Sequence, residues 1–260
     1  MKSIAIVGVG LIGGSFALAL RKAGFHGRII GVSSAATIDK AFSLGVIDEA
    51  LPLAEATAEA DLVYLSQPIS KIIETLKLLD TDALVTDAGS TKAVICETAR
   101  KLKRGRFVGG HPMAGKESRG VEQADADLFR GRPYVLTSRE PELETWIERI
   151  GSRLVLLEPA EHDRQVAFVS HLPQLLSTTL ASVLAGKEQV AGPAAADLTR
   201  LALSPYDIWR DIFATNAGPI DAAIGAFIGK LEELRTQLRS PEMEQAFMQA
   251  AASARALRGK

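Results

Sequence analysis

Two histidines in this chain stand where a histidine can do proton chemistry. His111 lies in Gly109-Gly110-His111-Pro112-Met113-Ala114-Gly115, at the end of a short apolar run and among glycines. An imidazole there can stay partly neutral near pH 7 and act as a base. The plainer alternative is a turn histidine bonded to backbone. His171 lies in Val169-Ser170-His171-Leu172-Pro173, inside a long apolar pattern. A polar group in such a segment needs a partner, so it can equally be a satisfied core histidine. The other two of the four histidines, His26 and His162, have no such context and read as surface or capping residues.

Two further places carry polar groups in suggestive settings. Ser90 follows Asp87-Ala88-Gly89 and precedes Thr91-Lys92. Helix capping is its plain role. Asp87 is suited to orienting that loop or accepting a backbone N–H, and Lys92 reads as a solvated helix charge. Arg210 and Asp211 sit in Ile208-Trp209-Arg210-Asp211-Ile212-Phe213. A guanidinium among such bulk needs a partner. Asp211 is one; an anionic ligand, gripped by two parallel N–H groups, is the other. No HExxH, CxxC or carboxylate cluster argues for a metal, and none is expected. Cys96 is the one cysteine, so no intramolecular disulfide is expected. It sits in a helical pattern and reads as an inert buried thiol.

These groups need a scaffold, and the first thirty residues announce one. Residues 3–7 form an apolar run with the composition of a buried parallel strand. Gly8-Val9-Gly10-Leu11-Ile12-Gly13 follows, then a helical pattern stopped near Gly24, then a second strand over 28–32. Strand, glycine turn, helix and strand make a dinucleotide-binding unit. Gly8 permits the tight turn, Gly10 lets backbone approach a pyrophosphate, and Gly13 lets helix lie on strand. The free N–H groups at the helix start, at Leu11 and Ile12, favour the phosphate charge. After the second strand stand Ser33, Ser34 and Thr37, where an NAD-preferring chain carries an acid. Hydroxyls there can bond a 2′-phosphate that a carboxylate would repel. NADP is therefore the expected cofactor, with NAD as the alternative; no arginine follows to clamp the phosphate.

Further strands are expected over 61–66, 83–87, 106–110, 134–137 and 153–157, with helices between. The 61–66 strand closes at Gln67-Pro68, which joins the cofactor-binding candidates. Ligands bind beyond the carboxyl ends of such strands, and Ser90 and His111 both fall there. From Pro159 long apolar-periodic segments take over: 161–184, 194–203, 206–230 with a helix on to 238, and 241–257. The expected fold is thus α/β, a Rossmann dinucleotide-binding domain over 1–158 followed by an all-helical domain over 159–260. That much apolar helix surface commonly buries itself against a second copy, so a homodimer through these helices is expected.

Composition bounds the rest. The 260 residues are 47% hydrophobic with a net charge of −1, so neither nucleic acid nor an anionic membrane surface is an expected partner. No apolar run is expected to reach membrane-spanning length, no signal peptide precedes the first strand, and a soluble cytoplasmic protein is expected.

Taken together, GVGLIGGS at the start, TDAGSTK from Thr86, GGHPMAGKE from Gly109, EHDRQVAFVSHLPQ from Glu161 and LSPYDIWRDIF from Leu203 resemble the prephenate/arogenate dehydrogenase family of tyrosine biosynthesis. The resemblance covers most of the chain, and its order matches a Rossmann domain followed by a helical dimerisation domain. It implies oxidative decarboxylation of a cyclohexadienol, prephenate or arogenate, with hydride transfer to NAD(P)+. It makes His111 the catalytic histidine and Ser90 the serine near the reacting hydroxyl. His171 becomes the second active-site histidine and Arg210 the residue that binds a substrate carboxylate. The sequence departs from the family at Gln67, where threonine is more usual, and in the missing acid after the second strand. No appended regulatory domain is expected. A β-hydroxyacid dehydrogenase of the same plan would rely on a lysine in the helical half, where Lys187 and Lys230 lack a convincing setting. A non-catalytic dinucleotide sensor would need neither His111 nor Arg210.

Overall fold

The first strand, β1 (Ser3–Val7), is buried along its whole length, as a strand covered on both faces must be. It turns through Gly8, at φ +99°, into α1 (Leu11–Lys22) and returns as β2 (Arg28–Val32). Then follow α2 (Ala35–Ser43), β3 (Glu49–Ala50), α3 (Leu53–Glu59), β4 (Leu62–Leu65), α4 (Ile69–Leu78), β5 (Leu84–Asp87), α5 (Ala93–Lys101) and β6 (Phe107–Val108). These strands form one parallel six-stranded sheet, ordered β3-β2-β1-β4-β5-β6. The direction of winding reverses between β1 and β4, which pair from Ile4↔Leu62 to Val7↔Leu65. The crevice beyond their carboxyl ends is where this class of sheet takes its ligand. The structure is a computed structural model and describes residues 1–103, 105–116 and 118–259.

The strand expected over 106–110 is two strands in two sheets. β6 ends at Val108, and β7 (Gly110–Pro112) starts a second sheet with β8 (Pro133–Leu136) and β9 (Arg153–Leu156). The break falls at Gly109 because only a glycine fits there. A Cβ would lie 2.7 Å from Cys96 Sγ and 3.0 Å from Thr137. His111 therefore sits in a strand, opposite Val135, rather than in a turn. Cys96 is half-buried, and burial pushes its thiol up to about 11. α6 (Pro141–Arg149) connects β8 to β9.

Beyond β9 the described chain is helical: α7 (Pro159–Val166), a π turn (Ala167–His171), α8 (Leu172–Leu184), α9 (Pro193–Thr199), α10 (Tyr206–Thr236) and α11 (Glu242–Leu257). α10 is bent where the sequence suggests an unbroken helix. Asn216 takes φ −133°, ψ 23°, and Pro219 lies one turn on. A proline ring clashes with the carbonyl four residues before it and supplies no N–H, so the helix gives way there. One face of the large sheet is packed by Phe16, Leu20, Tyr64, Leu143 and Ile147. On the other face Ile69, Ile72 and Leu76 of α4 meet Ile212, Ile220 and Ala223 of α10. Burying each large apolar side chain contributes about 1.5–3 kcal/mol, so this contact seats the helices on the sheet domain.

One expectation needs correcting. The helical runs Pro159–Leu184 and Tyr206–Thr236 are long and apolar enough to cross a membrane by length and composition alone. The segments expected over 161–184 and 206–230 already approach that length; what the periodic reading missed is their mean hydropathy of 1.2.

Candidate active site

The glycine turn is built as its spacing suggests. A Cβ on Gly13 would fall 2.4 Å from Gly8 O and 2.5 Å from Ser66 Oγ, so helix and strand meet only without one. Gly10 faces nothing within 4 Å. It is the N-cap residue of α1, and no side chain bonds into that cap. The start of α1 thus has open space at Gly10 and no side-chain cap, with the helix dipole behind it, which suits a pyrophosphate. β4 supplies the buttress. Ser66 Oγ donates to Gly8 O at 2.9 Å, and Gln67 packs on Gly8 while its Oε1 accepts from Thr75 at 2.8 Å. Pro68 caps α4. Beside this crevice Ser33 and Ser34 are exposed. Ser34 is the N-cap residue of α2, its Oγ 3.0 Å from Thr37 Oγ1.

His111 is held from behind through the residue before it. Asp87, fully buried at the end of β5, accepts the Gly110 N–H at 3.1 Å and the Gly89 N–H at 2.8 Å. Lys92 also pairs with Asp87, and donates to Gly110 O at 2.6 Å. One buried ion pair thereby clamps both the N–H and the C=O of Gly110. A Cβ on Gly110 would lie 2.5 Å from Asp87 O. Lys92 is 0% exposed and so is not the solvated charge its sequence context suggests. The 88–92 turn folds back over the sheet and carries the ammonium inward.

His162 also departs from expectation. It is wholly buried, and its Nε2 lies 2.8 Å from His111 Nδ1. Its Nδ1 lies 2.7 Å from Asp163 Oδ1. The Asp163 carboxylate accepts the Lys92 N–H at 2.7 Å and the Ala93 N–H at 2.9 Å, so it caps α5 from another helix. Ser90 is therefore not the cap. It is half-buried in the 88–92 turn, with no hydrogen bond to His111. His111 is 8% exposed. Burial first, then the neighbouring His162, Lys92 and His171, holds its pKa well below the ordinary 6.5.

His171 ends the π turn, an irregularity that often marks functional sites, and is 1% exposed. Asn216, freed from helical geometry by the α10 bend, reaches both Asp163 O at 2.8 Å and His171 Nδ1 at 3.2 Å. An amide N–H₂ only donates, so the His171 proton is on Nε2. Burial lowers the His171 pKa to about 4, with Asp163 opposing, so the ring is neutral. Trp209 meets it edge-on at 6.0 Å. Next along α10, the Arg210 side chain is 61% exposed and touches Asp211 through Nε alone, at 3.3 Å. Asp211 is committed elsewhere, accepting the Ser70 N–H at 2.8 Å. The guanidinium is thus mostly exposed, and Asp211 is its partner through Nε. Glu117, which ends the GGHPMAGKE segment, lies outside the described residues.

Two family models divide the chain between them. "Prephenate dehydrogenase, nucleotide-binding domain" matches residues 16–160, and "Prephenate dehydrogenase, dimerization domain" matches residues 158–250. The chain belongs to the prephenate dehydrogenase family. It is 36% identical over 253 residues to a prephenate dehydrogenase of Lactococcus lactis subsp. cremoris, covering 92% of this chain and 72% of that one. Among solved structures, a prephenate dehydrogenase of A. aeolicus in complex with hydroxyphenyl propionate and NAD+ superposes with TM-score 0.87 at 31% identity. That match covers 99% of this chain and 98% of the other. A Synechocystis arogenate dehydrogenase gives TM-score 0.83 at 30% identity, covering 98% and 99%. As a prephenate dehydrogenase family member, the chain is an oxidoreductase of tyrosine biosynthesis. Its reaction is the oxidative decarboxylation of a cyclohexadienol with NAD(P)+. The lysines a β-hydroxyacid dehydrogenase would need are spent at the surface. Lys187 bonds Val183 O at 3.1 Å, and Lys230 pairs with Glu233 at 2.6 Å. Among the described residues no group of three or more His, Cys, Asp or Glu could hold a metal.

Proposed function

We propose that His111 is the catalytic base of this dehydrogenase, accepting the ring-hydroxyl proton of prephenate or arogenate. The observation that carries this is a neutral, nearly buried imidazole held at the carboxyl edge of the fold. A bound nicotinamide supplies the hydride acceptor. As the hydroxyl carbon is oxidised, the ring carboxylate leaves as carbon dioxide and the ring becomes aromatic. Aromatisation drives the step, so the residues mainly position and polarise. Ser90 aligns the hydroxyl. His171 offers its Nε2–H as a neutral donor to the substrate. Arg210 uses its free terminal nitrogens to grip a carboxylate.

The glycine turn with Leu11 and Ile12 holds the pyrophosphate, and Gln67 and Pro68 wall the nicotinamide side. Ser33, Ser34 and Thr37 receive the 2′-phosphate of NADP, the preferred cofactor, at the N-terminus of α2. The domain boundary is placed at Glu158, between β9 and α7. The helical domain closes the protein as a homodimer. Mixing the protein with each substrate and each cofactor, and following reduced-cofactor absorbance, tests the assignment. Turnover is expected with NADP+; silence with both substrates would overturn it.

A further inference from the structure

We infer that His162 and Asp163 are positioning residues that fix the tautomer of His111, leaving its Nε2 lone pair for the substrate. The inference rests on His111 being the base. The Asp163 carboxylate accepts one backbone N–H on each oxygen, from Lys92 at 2.7 Å and Ala93 at 2.9 Å. It is thus an acceptor, and the His162 nitrogen 2.7 Å from Oδ1 carries a proton. With that proton on Nδ1, His162 presents its Nε2 to His111 as the acceptor. That atom lies 2.8 Å from His111 Nδ1, and one proton lies between the two nitrogens. It belongs to His111 Nδ1. His111, itself neutral, is left with a lone pair on Nε2, the one nitrogen of these two rings with no hydrogen bond among the described residues.

The chain of contacts crosses the molecule's main seam. His111 comes from the small sheet, whereas His162 and Asp163 come from the first helix of the helical domain. All three are nearly or wholly buried. A buried polar ring must have its hydrogen bonds satisfied, and both ring nitrogens of His162 are engaged, by His111 and by Asp163. When His111 takes the substrate proton, its Nδ1–H already points toward His162, with the carboxylate behind it. That preorganised arrangement lets His111 accept the proton without moving another atom. One proton moves, from the substrate oxygen to His111 Nε2; the protons on His111 Nδ1 and His162 Nδ1 stay where they are.

The test combines two variants with a direct view of the ring nitrogens. In ¹⁵N-histidine NMR of the native protein, His111 is expected to show a protonated Nδ1 and an unprotonated Nε2. His162→Leu is expected to lower kcat on the order of 10²-fold, to leave KM and NADP+ affinity near native, and to mix the His111 tautomers. His162→Gln, whose amide oxygen can accept from Nδ1–H, is expected to recover much of the kcat. A native His111 protonated at Nε2 would overturn the inference. So would a near-native kcat in His162→Leu, or a His162→Gln no better than His162→Leu. Should His162→Leu fail to fold, the native ring-nitrogen shifts and the His162→Gln kcat still decide. A native protein inactive on both substrates would instead strike the proposed function, while the shifts would still report the tautomer.

Discussion

The proposed role of base requires a neutral His111, and burial, with His162, Lys92 and His171 nearby, favours that form by lowering the pKa. The active form is the deprotonated one. On the acid side kcat/KM is therefore expected to rise with pH through a midpoint below the ordinary 6.5 and to stay level through neutrality. A rise centred above 6.5 would contradict this placement. His111→Asn is expected to keep cofactor affinity and lose about 10²–10⁴-fold in turnover; near-native rates would remove His111 from the mechanism. Arg210 allows an equally direct test, because Asp211 keeps its bond to Ser70 without it. A hydrogen bond to a charged group contributes about 1.5–3 kcal/mol. Arg210→Ala is thus expected to raise KM roughly ten- to a hundredfold, with Tm near native. A fallen Tm with unchanged KM would make the residue structural. His111, His171 and Arg210 were legible as polar residues in apolar or glycine-rich surroundings. His162 was not, since what defines it is a neighbour 51 positions away in sequence. Lys92 was misread for a different reason. The signal was present, an acid closing a strand and a lysine five residues on, but only the folded turn puts both under Gly110.

Elements that bury one face over several turns were legible, because their apolar spacing and their stops coincide. β1, α1 and β2 run close to the bounds their pattern suggests. β3 is too short for any periodicity, and α6 begins with a charged Pro-Glu-Leu-Glu stretch that hides its apolar stripe. The bend in α10 was written in Pro219, yet its consequence lies upstream, at Asn216. The N-terminus of α2 is the element the proposed cofactor preference rests on: its hydroxyls are free of a side-chain cap bond to the helix, and Ser34 Oγ lies 3.0 Å from Thr37 Oγ1. NADP+ is expected to be used more efficiently than NAD+. Ser33→Asp is expected to move that preference toward NAD+ by tenfold or more, about 1.4 kcal/mol. Comparing kcat/KM for both cofactors in both proteins measures it. A native preference for NAD+ would show that the hydroxyls do not serve a phosphate.

At the scale of the whole molecule, the helical domain has more apolar surface than one chain can cover. Leu203 is 80% exposed, Phe247 71%, Val183 61% and Leu231 56%. The most apolar stretches of its two long runs are only 33% and 22% buried. Single exposed leucines are ordinary, whereas a contiguous apolar surface marks an interface. The match of residues 158–250 to a dimerization domain supports the proposed partner, a second copy. Symmetry sharpens the test, because a two-fold interface presents each residue twice. Ile228 and Leu231 lie three apart on α10, on one face, and both are exposed. Replacing both with glutamate puts four charges into the dimer and removes four large apolar side chains. Each such side chain contributes about 1.5–3 kcal/mol when buried. The loss therefore exceeds the several kcal/mol that separate a nanomolar from a micromolar dimer. Lys230→Glu, between them and pointing to solvent beside Glu233, is the control. By sedimentation at micromolar concentration, the native protein and the control are expected to be dimers and the double variant a monomer. A native monomer, or a double variant that stays dimeric, would place the interface elsewhere.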